Sequence, residues 1–193
     1  MTTTKFFSLL MPKRSWLQYR LRTMFVHVVI VAIPCGWLKW KLDRKAKERA
    51  AVAEIEKSGG FVEYDWKARK EKVPPGAAWL RKLLGDDFFS RVHFVRLDGN
   101  KFTDESLLHL DQFADLELLQ LPCQPVSDDI LIHLMGLTHL KLLDLQGTVV
   151  TDNGLGNLRR LTGLVYLDLT KTAVTDDGVT KLQKALPNCL IVR

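Results

Sequence analysis

Four acidic residues, Asp104, Asp128, Asp152 and Asp176, each follow a threonine or serine and recur every twenty-four residues. Carboxylates at a fixed interval invite a calcium reading. A calcium loop, however, gathers several oxygen ligands within about twelve residues, and no row adds further carboxylates at that spacing. Helix capping accounts for the series more simply. Thr151 is a natural N-cap, and Asp152 in the first turn favours the positive end of the helix dipole. His109 and His133 also share one column, but on separate helices of an outer face they meet no further ligands, so no metal site is predicted. Cys35, Cys123 and Cys189 are odd in number and widely spaced, which builds no disulfide framework. There is no GxSxG, no HExxH, no phosphate-binding glycine loop and no Cys/His pair placed by a motif. The expectation is a chain without catalytic activity and without a cofactor.

The elements that carry these residues follow from the interval. TVVTDNGLGNL at residues 148–158 returns as TAVTDDGVTKL twenty-four residues later. Rows of that length over 92–187 align Val95, Leu119, Leu143 and Leu167, then Leu97, Leu121, Leu145 and Leu169, then Phe102, Val126, Val150 and Val174, then Leu110, Leu134, Leu158 and Leu182. LELLQL, LKLLDL and LVYLDL alternate like strands, whereas stretches such as DNGLGNLRRL space apolar residues as one helix face does. Gly99 and Gly147 fall in the turns after strands, where glycine's backbone freedom suffices. Each row is a strand, a turn and a short helix. One such unit cannot bury its apolar edge alone, so neighbours must stack. The fold class is α/β, a solenoid with a parallel sheet on its concave side and short helices on its convex side.

The pattern LxxLxLxxTxVTDxGLxxLxxL over 92–193 resembles the leucine-rich repeat family, in the TDxGL variant of bacterial proteins and of the cysteine-containing repeats of F-box proteins. The resemblance extends to small bacterial proteins in which a membrane segment precedes a few repeats. The family's asparagine column holds Asn100 once and Gln124, Thr148 and Thr172 otherwise, a departure that argues against a regular asparagine ladder. No F-box-like segment is present, so ubiquitin-ligase work is not implied. The resemblance places Phe94, Leu118, Leu142 and Tyr166, with Arg96, Gln120, Asp144 and Asp168, on the concave face, and implies that they bind a protein partner. Two readings of the apolar row stand: partner recognition, or cover by the chain's own linker helix or FVEYDW strand. Asp144 and Asp168, on strands roughly 5 Å apart, would repel each other unless a basic group or cation relieves them. Aspartate before the last strand leucine is also commonplace in this variant, and water screens exposed pairs. A further alternative is self-association: CLIVR ends the repeats with no obvious cap, leaving a sheet edge open to a second copy.

Charge divides the chain. Residues 1–50 hold eleven Lys/Arg against Asp43 and Glu48, residues 51–76 balance, and residues 77–193 set twelve cations against fifteen carboxylates. The repeat region is therefore mildly acidic, which excludes the basic folded face of a nucleic-acid binder. The basic start surrounds TMFVHVVIVAIPCGWL, residues 23–38, without acidic or basic residues apart from a titratable His27. At roughly 24 Å as a helix it is shorter than the roughly 30 Å hydrocarbon core. Trp16, Tyr19, Trp37 and Trp40 supply interfacial aromatics, and Arg20, Arg22, Lys39 and Lys41 can reach headgroups. The expected organisation is a cationic segment (1–22), a single transmembrane helix (23–40), a charged juxtamembrane helix (41–60), a short strand and Pro/charged linker (61–76), an N-terminal cap (77–91) and about four repeats (92–193). A cleaved signal peptide or a buried soluble helix are the rival readings of 23–38, and the balanced flanking charge gives no orientation. Arg20, Arg22, Lys39, Lys41, Arg44 and Lys45 are the expected contacts to anionic lipid, and a single-pass membrane location is expected.

Overall fold

The computed structural model describes residues 14–97, 107–123 and 125–193, with backbone only for 14–23, Phe25, His27, Val29 and Val31. The chain divides into two compact units, residues 1–43 and 44–193. A single helix, α1 (Arg14–Lys57), replaces the two expected over 23–40 and 41–60. Pro34 sits inside it, as do the two charged flanks; no Gly or second Pro interrupts the Ala/Lys/Arg/Glu-rich stretch that follows, so nothing in residues 41–57 stops the helix. Gly59 and Gly60 do stop it, as expected. Gly59 takes a left-handed φ of 89°, its N–H donates to Glu56 O at 3.0 Å and Gly60 N–H donates to Ile55 O at 2.9 Å, a Schellman ending.

No helix among the described residues is long and apolar enough to cross a membrane. Several side chains of the expected span lie outside the description. The apolar ones that are described, Met24, Val26, Val28, Ile30 and Ile33, are each more than half exposed.

In the second unit, β1 (Phe61–Tyr64), β2 (Val92–Arg96), β3 (Leu118–Gln120), β4 (Leu142–Asp144), β5 (Tyr166–Asp168) and β6 (Leu190–Val192) form one sheet in chain order. β1 runs antiparallel to β2 and all later pairs are parallel. The register steps by the predicted interval, with Val95 opposite Leu119, Leu119 opposite Leu143 and Leu143 opposite Leu167. These four are fully buried, as are Leu121, Leu145 and Leu169. Phe102, Thr103, Asp104, Asn100, Gly99 and Gln124 lie outside the described residues.

The outer helices are shorter than the sequence suggests. The second and third rows form a 3-10 turn (Ile130–Leu134) and a one-turn helix α4 (Leu155–Leu158), and only α5 (Asp176–Ala185) is of ordinary length. Before the repeats stand α2 (Asp65–Ala68), in place of the end of the FVEYDW strand, and α3 (Ala78–Leu84). The cap is built differently from expectation. Residues 77–91 contribute Phe88 and Ser90, but the apolar cover of the first coil comes from Ala51, Val52 and Ile55 of α1 with Val62 of β1, which join the same core as Val92, Val95 and Leu97.

Candidate functional site: the open face of the sheet

Side chains of a strand alternate between faces, so with Val95, Leu119, Leu143 and Leu167 in the core, their neighbours stand on the other face. One row joins Phe94, Leu118, Leu142 and Tyr166 through paired positions, and the next joins Arg96, Gln120, Asp144 and Asp168. All the predicted face residues are thus brought together, half-buried except for the exposed Arg96. Two strands lengthen the rows beyond prediction. β6 adds Leu190 and Val192 beside Tyr166 and Asp168. β1 adds Glu63 and Phe61 beside Phe94 and Arg96, with the Phe61 and Phe94 rings tilted at a centroid distance of 6.0 Å. The alternation of FVEY was the available signal for β1. The linker reading is thereby corrected: among the described residues, FVEY extends the sheet sideways and the end of α1 enters the core.

The carboxylates of this face are occupied locally. Gln146 N–H donates to Asp144 Oδ1 at 2.9 Å. Asp168 Oδ1 accepts from Thr170 N–H at 2.9 Å and from its hydroxyl at 2.7 Å, and Tyr166 O–H donates to Asp168 Oδ2 at 3.3 Å. Both aspartates close the turn that leaves their own strand. Partial desolvation, with Asp168 beside it, holds the Tyr166 phenol above its ordinary range. The turns themselves repeat: Cys123, Gly147 and Lys171, twenty-four residues apart, all take a left-handed φ, of 57°, 70° and 57°. Thr148 and Thr172, in the asparagine column, donate their hydroxyls to Leu145 O and Leu169 O at 2.7 and 2.6 Å.

The aspartates after the threonines do something the sequence reading missed. Asp128 accepts from Thr151 N–H at 2.8 Å and from its hydroxyl at 2.6 Å; Asp152 accepts from Thr175 N–H and hydroxyl at 2.7 and 2.6 Å. Each carboxylate therefore ties its coil to the next one. These bonds, the Thr175 hydroxyl foremost, hold the Asp152 carboxyl below its ordinary range. The reach requires glycine: a Cβ on Gly154 would stand 2.4 Å from Asp128 Oδ1, and one on Gly178 2.1 Å from Asp152 Oδ1. Thr175 also caps α5, accepting from Gly178 N–H at 3.2 Å. Thr151 does not cap its row's helix, which begins only at Leu155 after Gly154. At the last row Arg193 supplies the missing donors, giving Nε–H to Val174 O at 2.5 Å and pairing with Asp176. Arg193 thus takes, for Asp176, the place that Thr151 and Thr175 take for Asp128 and Asp152.

Of the expected lipid contacts, the side chains of Arg20 and Arg22 lie outside the description. Lys39 is exposed, Lys41 Nζ lies 5.2 Å from the centre of the Trp37 ring, and Arg44 pairs with Asp115 at 3.6 Å. Lys45 is a correction. It is buried, donating to both Glu48 oxygens at 2.8 and 2.9 Å and to Ser90 O at 2.6 Å, because it sits on the face of α1 that closes the first coil. A cleft of about 470 Å³ along the strand starts is lined by Asp65, Arg69, Arg91, His93, Asp115 and Glu117. Its charges are paired among neighbours: Arg91 with Asp115, Arg69 with Asp65, and Glu117 with Lys141, whose hydrogen bond lowers the Glu117 pKa. Among the described residues no three His, Cys, Asp or Glu side chains are grouped to hold a metal.

The family model described as Leucine Rich repeat matches residues 136–158 and 162–182. Those two stretches, in the third and fourth rows, are similar to leucine-rich repeats. Among solved structures, a leucine-rich repeat protein of Leptospira interrogans matches with 21% identity and a TM-score of 0.34, over 45% of this chain and 21% of that one. No curated protein matches the sequence. Leucine-rich repeat domains generally bind proteins.

Proposed function

We propose that this chain is a membrane-held recognition module without catalytic activity, whose open sheet face binds a protein partner. The observation that carries the reading is the unbroken row of Phe94, Leu118, Leu142, Tyr166 and Leu190 on neighbouring strands, the first four half-buried and Leu190 exposed, on the face turned away from the core. An apolar row rimmed by Arg96, Gln120, Asp144 and Asp168 has the composition of an interface core with a polar rim. The anchor rests on the exposed apolar side chains of α1 between residues 24 and 33 and on Trp37 and Trp40, both more than half exposed, beside Lys39 and Lys41. Such a surface belongs in lipid or against another apolar surface.

A photo-crosslinking residue at Leu118 or Leu142 tests the recognition arm in cells. A protein adduct at both positions, absent when the probe stands at Arg160 on the outer side, is the expected result; equal labelling at all three overturns it. Fractionation tests the anchor, which predicts retention in the membrane pellet through high salt and alkaline carbonate; release by salt overturns it.

A second reading, self-association through β6, draws on Leu190, which is 63% exposed on that strand. Light scattering of Leu190→Asp separates the two readings, since only self-association predicts a fall in mass.

A further inference from the structure

Helix α3 presents Trp79 and Leu83, one turn apart, at 68% and 74% exposure, the two most exposed large apolar side chains among the described residues. They are not the loose end of a frayed segment. Arg81 on the same helix donates to Pro74 O at 2.7 Å, and Arg49 of α1 donates to Leu84 O at 2.7 Å. Arg49 also grips Asp87 with two bonds, at 2.7 and 2.8 Å. The Arg81 bond ties Pro74, the residue after exposed Val73, to the helix. The fold thus fixes the helix by one side and leaves its apolar side bare.

The surrounding sequence is mainly basic, although Arg69 pairs with Asp65 and Glu71, and Arg81 lies near Asp86. Residues 66–84 hold Lys67, Arg69, Lys70, Lys72, Arg81 and Lys82 against Glu71 alone, a net of +5. The repeat-bearing residues 77–193 as a whole are net negative, with twelve cations and fifteen carboxylates, so this basicity is local.

We propose that residues 66–84 dock on an anionic lipid surface, with Trp79 and Leu83 entering the headgroup boundary and the lysines meeting lipid phosphates. Size separates this occupant from a protein. Two or three apolar side chains on a seven-residue helix fall well short of the roughly 800 Å² that a specific protein interface buries per partner, whereas a bilayer demands no matched surface. Tryptophan and leucine beside lysine are also the residues that interfacial helices use. The contact is independent of α1 as an anchor, because it is built from other residues.

Hydrogen–deuterium exchange of the full chain reconstituted into vesicles tests it, comparing phosphatidylcholine alone with a mixture holding about one quarter phosphatidylglycerol. Exchange over 78–84 is expected to slow in the anionic vesicles only, while strands β4 and β5 stay unchanged as the internal control of folding. Trp79→Ser/Leu83→Ser should abolish the effect. Lys70→Gln/Lys72→Gln, which lies outside the helix, should weaken it by about fivefold for each cation removed. Equal exchange in both vesicle types overturns the proposal, and so does slowing that survives both variants. Retention of the chain in vesicles with no effect at 78–84 leaves the anchor standing and sinks this contact alone.

Discussion

At Gly154 and Gly178 the backbone is ordinary right-handed helix, so replacing glycine with alanine would by propensity alone stabilise each by roughly 0.5–1 kcal/mol. The packing reverses that sign. Gly154→Ala drives a methyl to 2.4 Å from the Asp128 carboxylate, which two bonds to Thr151 hold in place, and is expected to cost about 1–3 kcal/mol. Asp128→Ala, which leaves Thr151 without its acceptor, should cost about 1–2 kcal/mol. The double variant should be less destabilised than the sum, because removing the carboxylate vacates the space; additivity in urea denaturation would contradict the account. Asp152 provides the pH test. Its carboxyl is held below its ordinary range by Thr175, so its contribution is complete at neutral pH and is lost as pH falls below the usual carboxylate range. Asp152→Asn should flatten that acid limb of the melting temperature. These aspartates were visible as a column, but their partners were not, since a residue twenty-three positions away becomes a neighbour only when coils stack.

Among the elements, α1 is where the sequence was least legible. Its charges between residues 41 and 57 read as a solvated or lipid-facing surface, yet the folded chain turns Lys45, Glu48, Ala51, Val52 and Ile55 inward. The interior face of a helix with this many charges shows little amphipathic contrast, so periodicity could not reveal it. Lys45 and Glu48 are buried together with Ser90 O, and burial raises the Glu48 pKa despite the lysine. Removing one partner from a buried pair leaves the other charge uncompensated. Glu48→Ala should therefore destabilise the domain by about 3–5 kcal/mol, and Lys45→Met/Glu48→Leu much less. Guanidinium denaturation of the two variants decides; equal losses would mean that the pair is not what closes the first coil.

For the whole molecule, the buried core and the proposed recognition surface lie on opposite faces of one sheet. Leu143, fully buried between Leu119 and Leu167, supports both neighbours, so Leu143→Ala should cost about 2–5 kcal/mol. Leu142, one residue earlier on the open face, should tolerate Leu142→Glu with a small change in midpoint while partner crosslinking is lost. A variant series in which open-face substitutions unfold the domain as readily as core ones would show that this face is not a surface at all.

The twenty-four-residue interval was enough to establish the coil and the sheet register, because stacking equivalent units leaves one way to bury aligned leucines, and the resemblance placed the two rows on the open face. It also placed Gly147 in a turn after a strand; that Cys123 and Lys171 take the same left-handed backbone came only from the structure. Contacts between rows and at the ends needed the tertiary structure: the aspartate-to-threonine ties, the bonds of Arg193 to Val174 and Asp176, and the entry of α1 and β1 into the first coil. Periodicity records what each coil shares with the others. The ends of a stack have a neighbour on one side only, so what covers them is set by non-repeated residues that only three-dimensional packing brings together.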